Sequence, residues 1–158
     1  MKNLFLTGIF AILLIGCKSN SATATKIDRS SQNDLKGDWI LNTVTYPGSD
    51  YIQVNSFQLA DSKCFQGSTW SFVPNNNKGH MSINNADCTS FSSPITWFIN
   101  DNGKFVLKIL NADEKARKVR DGYVLDIANQ SPTSFQLVDQ VDVGGNTTNV
   151  IYQFQKVN

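Results

Sequence analysis

Few residues in this chain have the chemistry that catalysis requires. The 158 residues include one histidine, His80, one glutamate, Glu114, and three cysteines. One histidine is too few for a multi-histidine metal site, and it leaves a single candidate base for a histidine-based catalytic triad. His80 follows a predicted hairpin, so we expect an exposed strand residue there. We predict that the protein is not an enzyme and that it has no catalytic residue, no metal site and no cofactor.

The overall composition is that of a neutral, folded domain. Lys and Arg total 14 and Asp and Glu total 13, which excludes the basic excess of a nucleic-acid-binding protein. Hydrophobic residues make up 41% of the chain and include 10 Phe. This much apolar material predicts one folded domain rather than a disordered chain.

The N-terminus resembles a bacterial lipoprotein signal. Residues 4–15 are mostly apolar, too short a run to span a bilayer and typical of a signal peptide. Leu14-Ile15-Gly16-Cys17 is similar to the lipobox. The resemblance implies cleavage after Gly16 and lipidation of Cys17 with acyl chains such as palmitate. The alternative is an ordinary signal peptide with a chance cysteine.

Export and composition together divide the chain into three segments. Residues 1–16 are the predicted signal peptide, and residues 17–34, rich in Ser, Thr, Asn and Ala, are a lipid-anchored flexible tether. Residues 35–158 form the folded domain. An exported protein meets an oxidising compartment, so we expect a disulfide between Cys64 and Cys88. Two free thiols are the alternative.

The folded segment reads as about eight antiparallel strands. Apolar residues alternate with polar ones from Gly37 onward, and turn sequences such as residues 75–79 and 100–103 separate the runs. Such a meander forms a barrel or a sandwich. Residues 47–67 are a long connection with several large apolar residues, which indicates a flap over one end of the domain. Residues 111–120 are either a short helix or a charged strand end.

The same region resembles the lipocalin-like lipoproteins of Bacteroidota. Gly37-Asp38-Trp39 opens the first strand like the G-x-W motif of lipocalins, and the long flap follows it. The resemblance implies an all-β, eight-stranded antiparallel up-and-down barrel that can hold a small apolar ligand. It also implies that Trp39 lies across the closed base under a basic residue, for which Lys156 is the only candidate.

The inward positions of the strands define the candidate ligand site. The functional interpretation is a ligand cavity, and the alternative is a lumen filled by the same side chains. Asp139 falls on an apolar strand face, where it binds a ligand's polar head or pairs with Lys156, unless a bend turns it to solvent. The candidate lining residues are Trp70, Phe72, Trp97, Phe105, Tyr123, Leu125, Phe135, Asp139, Tyr152 and Phe154.

Two functions fit these features. One is a ligand-binding protein held by its lipid at the bacterial outer membrane, and the other is a non-catalytic subunit of an outer-membrane protein complex. Lys18 follows the lipidation cysteine, rather than the Asp associated with inner-membrane retention in some bacteria. The residues just after Cys17 also lack an acidic cluster of the kind associated with surface export. We therefore expect the periplasmic leaflet rather than the cell surface.

Overall fold

The fold is a closed eight-stranded antiparallel barrel, as the sequence predicts. The computed structural model describes residues 28–48, 52–110 and 122–157. The barrel order is β1-β10-β9-β8-β7-β6-β5-β4, and β1 pairs with both β10 and β4 to close it. The strands are β1 (Gly37–Thr45), β2 (Asn55–Ser56), β3 (Ala60–Asp61), β4 (Thr69–Val73), β5 (Lys78–Ile83), β6 (Phe91–Ile99), β7 (Phe105–Ile109), β8 (Tyr123–Ala128), β9 (Ser134–Val143) and β10 (Asn146–Lys156).

Alternation along each strand separates a buried inner face from an outer face. In β6, for example, Ile95, Trp97 and Ile99 are buried, while Thr96 and Phe98 between them are partly exposed. The core therefore fills the inside of the barrel. Neighbouring strands also approach closely at Gly79. A Cβ there would lie 2.3 Å from the Ser71 carbonyl oxygen and 2.9 Å from the Ile95 side chain, so only glycine fits.

A short helix closes one end, which we call the base. The helix α1 (Arg29–Asp34) is capped at its N-terminus by Asp28, whose carboxylate accepts hydrogen bonds from Ser30 N and Ser31 N. The side-chain hydrogen bond from Ser31 is the main reason why the pKa of Asp28 is lowered. Gln32 is fully buried and its Nε2 donates to the carbonyl of Pro74, 3.0 Å away, in the β4–β5 connection.

This helix corrects the predicted boundary of the tether. Composition assigns residues 28–34 to a flexible segment, but they are folded. Asp28 caps a helix, and the side-chain amide of Gln32 donates hydrogen bonds to Pro74 and Asn77 of the barrel. Asp28 N also donates to the carbonyl of Ile99 at 2.9 Å, which ties the chain to the end of β6. Residues 17–27 lie outside the described residues. Within the described part of the chain, no helix is long and apolar enough to cross a membrane.

The opposite end, which we call the mouth, carries the flap. Residues 46–68 connect β1 to β4 and contain the small hairpin of β2 and β3, followed by a 3-10 helix at Ser62–Phe65. The predicted flap is therefore a partly ordered cover. Residues 49–51 and 111–121 lie outside the described residues, as does the helix or strand end predicted for residues 111–120.

Truncation of Trp39 should destabilise the barrel strongly. Trp39 has no exposed surface, its ring meets Phe135 edge-on at 4.7 Å between centroids, and its Nε1 donates to the carbonyl of Leu35 at 2.9 Å. We expect Trp39→Ala to lower the free energy of unfolding by about 3–5 kcal/mol. Urea denaturation provides the measurement. The neighbouring Ile40→Ala, on the outer face, should cost less than about 1 kcal/mol. Equal midpoints for Trp39→Ala and wild type would contradict the assignment of Trp39 to the base.

Candidate functional site

The base half of the lumen is filled by aromatic rings from the strands. The rings of Phe135 and Phe154 stack at 4.6 Å between centroids, and Trp97 stacks on Phe105 at 5.6 Å. Phe72 bridges the two pairs, with its centroid 4.9 Å from that of Trp97 and 6.4 Å from that of Phe135. Rings at these separations are in direct contact. The filled lumen, one of the two alternatives from the sequence, therefore describes this half of the barrel.

The mouth half of the lumen is occupied by Phe57, a residue of the flap. Its ring stacks on Tyr152 at 5.4 Å and meets Trp70 at 6.5 Å and Tyr123 at 5.1 Å. These three partners belong to β10, β4 and β8, which lie on different sides of the barrel. Phe57 is therefore inserted between opposite walls, where only 6% of its surface remains exposed.

The backbone that carries this ring is strained. Phe57 and Gln58 have φ values of 54° and 52°, in the left-handed region that favours glycine. Such a conformation costs about 1–3 kcal/mol for each non-glycine residue. Contacts in the mouth must offset this cost, so the flap is held against the barrel by the insertion of Phe57 rather than by the preference of its own turn.

Hydroxyl groups fasten the flap around Phe57. Tyr123 donates a 2.5 Å hydrogen bond to the carbonyl of Phe57, and the Tyr152 hydroxyl lies 2.5 Å from Ser56 Oγ. Tyr46 and Ser62 form a second hydroxyl pair. Burial is the main cause that raises the pKa of Tyr152, so this hydroxyl stays protonated. The flap thus has an apolar insert surrounded by neutral hydrogen-bonding groups.

A disulfide ties the end of the flap to the rim of the mouth. The predicted bond between Cys64 and Cys88 is present, with Cα atoms 5.8 Å apart and 24 residues of separation. Cys64 lies in the 3-10 helix that follows β3, and Cys88 lies in the connection between β5 and β6. The bond restrains the C-terminal part of the flap, while the hairpin that carries Phe57 is held by non-covalent contacts.

Asp139 places a carboxylate in the mouth half of the lumen. It lies directly across from the fully buried Val150, and opposite residues of an antiparallel pair project from the same face. β9 continues without interruption through Asp139 to Val143, so the predicted bend to solvent is wrong. Asp139 is half-buried, and loss of solvent is the main cause that raises its pKa. Its negative charge also contributes to the raised pKa of Tyr152.

Lys156 lies at the other end of the barrel, over Trp39. Its Nζ is 5.2 Å from the centroid of the Trp39 ring, and the two residues are paired across β1 and β10. This arrangement is a cation–π contact at the base. The predicted alternative that Asp139 pairs with Lys156 is therefore wrong, since β9 and β10 hold the two residues at opposite ends.

The other predicted lining residues face the interior. Trp70, Phe72, Trp97, Phe105, Leu125, Phe135, Tyr152 and Phe154 are buried, and Tyr123 is partly buried. Their role toward a ligand stays a prediction. The strand pattern of the sequence did not identify Phe57 as the residue that fills the mouth. The signal for it was the run of large apolar residues in a connection that would otherwise be polar.

His80 and two serines form a hydrogen-bonded polar group on the outer surface of the barrel. His80 is exposed and its Nε2 lies 2.8 Å from Ser92 Oγ, which in turn contacts Ser82 Oγ at 2.9 Å. Asp38 lies two strands away, with Ser71 between it and His80, so the order is not that of a nucleophilic triad. Among the residues with described positions, no group of three His, Cys, Asp or Glu side chains could hold a metal ion.

Comparison with known proteins agrees with this architecture. A family model of the lipocalin-like domain matches residues 35–137. The chain belongs to the lipocalin-like family. A bovine odorant-binding protein, solved in complex with a selenium-containing odorant, is 16% identical to this lipocalin-like chain. That match covers 80% of this chain and 73% of that chain, with a TM-score of 0.46. No curated protein matches the sequence.

Asp139 should give this lipocalin-like domain a specific pH dependence of stability. Because the pKa of Asp139 is raised on folding, the folded state binds its proton more tightly than the unfolded state does. Ionisation therefore destabilises the fold as the pH rises through the window above 3.8, the ordinary value of the group. We expect Asp139→Asn to be as stable as wild type below this window and more stable above it.

Thermal unfolding of both proteins across this pH range provides the measurement. Asp142→Asn, at an exposed position of the same strand, controls for the loss of one negative charge. A difference between wild type and Asp139→Asn that stays constant with pH would show that the carboxylate is not desolvated in the mouth.

Proposed function

We propose that this lipocalin-like protein binds a small apolar ligand in the mouth half of its barrel, in the place that Phe57 occupies. The observation that carries the proposal is that strand residues fill the base half, whereas a flap residue fills the mouth half. Strand rings cannot leave without opening the barrel. Phe57 can leave when the small hairpin of the flap lifts, and its strained turn relaxes when it does so.

We further propose that the protein is anchored by lipid on Cys17 to the bacterial outer membrane, facing the periplasm. The described chain begins at Asp28, which is bonded to Ile99 at the base. Ten residues lie between Cys17 and Asp28, and the eleven steps from one Cα atom to the next span at most about 35–40 Å. An anchor that joins the domain at its base leaves the mouth at the far end, where a ligand can enter. On this proposal the protein binds without catalysing a reaction.

A second candidate function is a structural subunit of an outer-membrane protein complex. The outward side chains of Phe98, Val106 and Val124 lie in register across β6, β7 and β8, and Val124 is 58% exposed. A contiguous apolar row on an outer face is typical of a contact surface. Affinity purification from solubilised membranes tests this function, and a stable partner lost in Val124→Lys would favour it.

The mass of the mature protein tests the anchor. Lipidation and cleavage after Gly16 predict that the membrane-extracted protein begins at Cys17 and carries a diacylglyceryl thioether and an N-acyl chain. Cys17→Ser removes the thiolate that accepts the diacylglyceryl group and should give an unlipidated protein. A mature protein with an unmodified Cys17, or a mass that includes residues 1–16, would contradict the proposal.

Binding of a neutral, polarity-sensitive naphthalene dye tests the ligand site. Wild type should bind the dye with a change in tryptophan fluorescence, because Trp70 contacts Phe57 in the mouth. Phe57→Ala should bind at least about tenfold more tightly, since the dye no longer has to displace the phenyl ring.

Phe135→Ala is the matched control for this experiment. It removes a ring of the same size from the base half, where it is fully buried between Trp39 and Phe154. Its affinity for the dye should stay within about threefold of wild type, because the mouth is unchanged. Absence of binding by both wild type and Phe57→Ala, or equal gains in both variants, would overturn the proposed site.

A further inference from the structure

We infer that the preferred ligand of this site combines an aromatic ring with a protonated amine, the ring replacing Phe57 and the amine binding Asp139. This inference rests on the proposed function and adds the chemical class of the ligand. It depends on three features of the mouth half: the aromatic walls around Phe57, the hydroxyl groups that the flap now uses, and an inward carboxylate with no cationic partner among the described residues.

The walls of the site are suited to a flat ring. Phe57 is stacked on Tyr152 with an interplanar angle of 28°, and it meets Tyr123 and Phe65 edge-on. A ligand ring in the same place gains one stacked and several edge contacts without rearrangement of the strands. Aromatic pairs of this kind contribute beyond the area that they bury.

Displacement of the flap hairpin releases hydrogen-bonding groups toward the ligand. Ser56 and Phe57 move together because they are consecutive, so the hydroxyl of Tyr152 loses its partner Ser56 and the hydroxyl of Tyr123 loses the Phe57 carbonyl. Both hydroxyl groups then lie in a largely apolar mouth. A ligand with a polar end replaces Ser56 as the partner of the Tyr152 hydroxyl, whereas a hydrocarbon does not.

Asp139 determines which polar end is favoured. Its position across from Val150, with Leu137 and Val141 on the same strand face, directs the carboxylate into the lumen near Tyr152. Among the described residues, the one ion pair joins Lys104 to Asp126, and Asp139 takes part in none. Partial burial of a carboxylate without a cation is unfavourable, as its raised pKa indicates. An ammonium group on the ligand supplies the missing charge, while a carboxylate is repelled.

Three ligands with one ring and different end groups test this inference. Phenethylamine, 2-phenylethanol and 3-phenylpropionate are titrated against the mature chain at pH 7.5, by competition with the neutral naphthalene dye. We expect phenethylamine to bind at least about tenfold more tightly than the alcohol, which is the range of a charge-assisted hydrogen bond, and the anion to bind most weakly. Asp139→Asn should reduce the preference for the amine to within about threefold and leave the affinity for the alcohol unchanged.

The outcomes separate this inference from the proposed function. Equal affinities for the three ligands, a preference for the anion, or an amine preference that survives in Asp139→Asn would overturn the ligand class while the binding site itself stands. Asp142→Asn controls for general electrostatic attraction and should keep the amine preference, since Asp142 is exposed on the same strand. Failure of all three ligands and of the dye to bind, in wild type and in Phe57→Ala, would overturn both.

Discussion

The interior volume of a closed eight-stranded barrel is the constraint on which the rest of this structure depends. A barrel of this strand number is just wide enough for its inward side chains, so every large ring placed there must contact another. From the base upward, the rings of Phe135, Phe154 and Phe72 meet this requirement within the strands. In the mouth, Phe57 of the flap fills the space that the strand residues leave.

The difference between the two halves has a functional consequence. A ring carried by a strand is fixed by the barrel's ladder of hydrogen bonds, whereas a ring carried by a hairpin of two-residue strands is fixed by its own contacts. Phe57 keeps a left-handed backbone, and hydrogen bonds from two tyrosine hydroxyl groups hold its turn, each contributing about 1 kcal/mol. The insert in the mouth is therefore held by side-chain contacts, whereas the rings of the base half are held by the strands.

The two ends of the barrel also differ in charge. At the base, Lys156 lies over the ring of Trp39, where the aromatic face stabilises its positive charge. At the mouth, the pKa of Asp139 is raised because burial removes solvent from its carboxylate, and no described residue forms an ion pair with it. The described residues therefore place a cation against an aromatic ring at one end of the barrel and a half-buried carboxylate at the other.

Local patterns predicted the architecture well. Alternation of apolar residues identified the strands of the barrel, and an even pair of cysteines in a chain expected to be exported predicted the Cys64–Cys88 bond. The resemblance of Gly37-Asp38-Trp39 to the lipocalin G-x-W motif implied where Trp39 lies. The folded helix at residues 29–34 was missed because it is short and polar, and it is stabilised by bonds from Gln32 to Pro74 and Asn77, more than 40 residues away.

Strand period, turns and the signal resembling a lipobox are encoded by neighbouring residues, and the sequence by itself determined them. It placed Asp139 on an apolar strand face but left open whether the carboxylate turns to solvent. The insertion of Phe57, the separation of Asp139 from Lys156 and the base position of α1 were decided only by the tertiary structure. Each depends on how far strands extend, how they are registered across the closed barrel, and which space remains once the rings have packed. Those quantities arise from contacts between residues distant in sequence, which no local pattern contains.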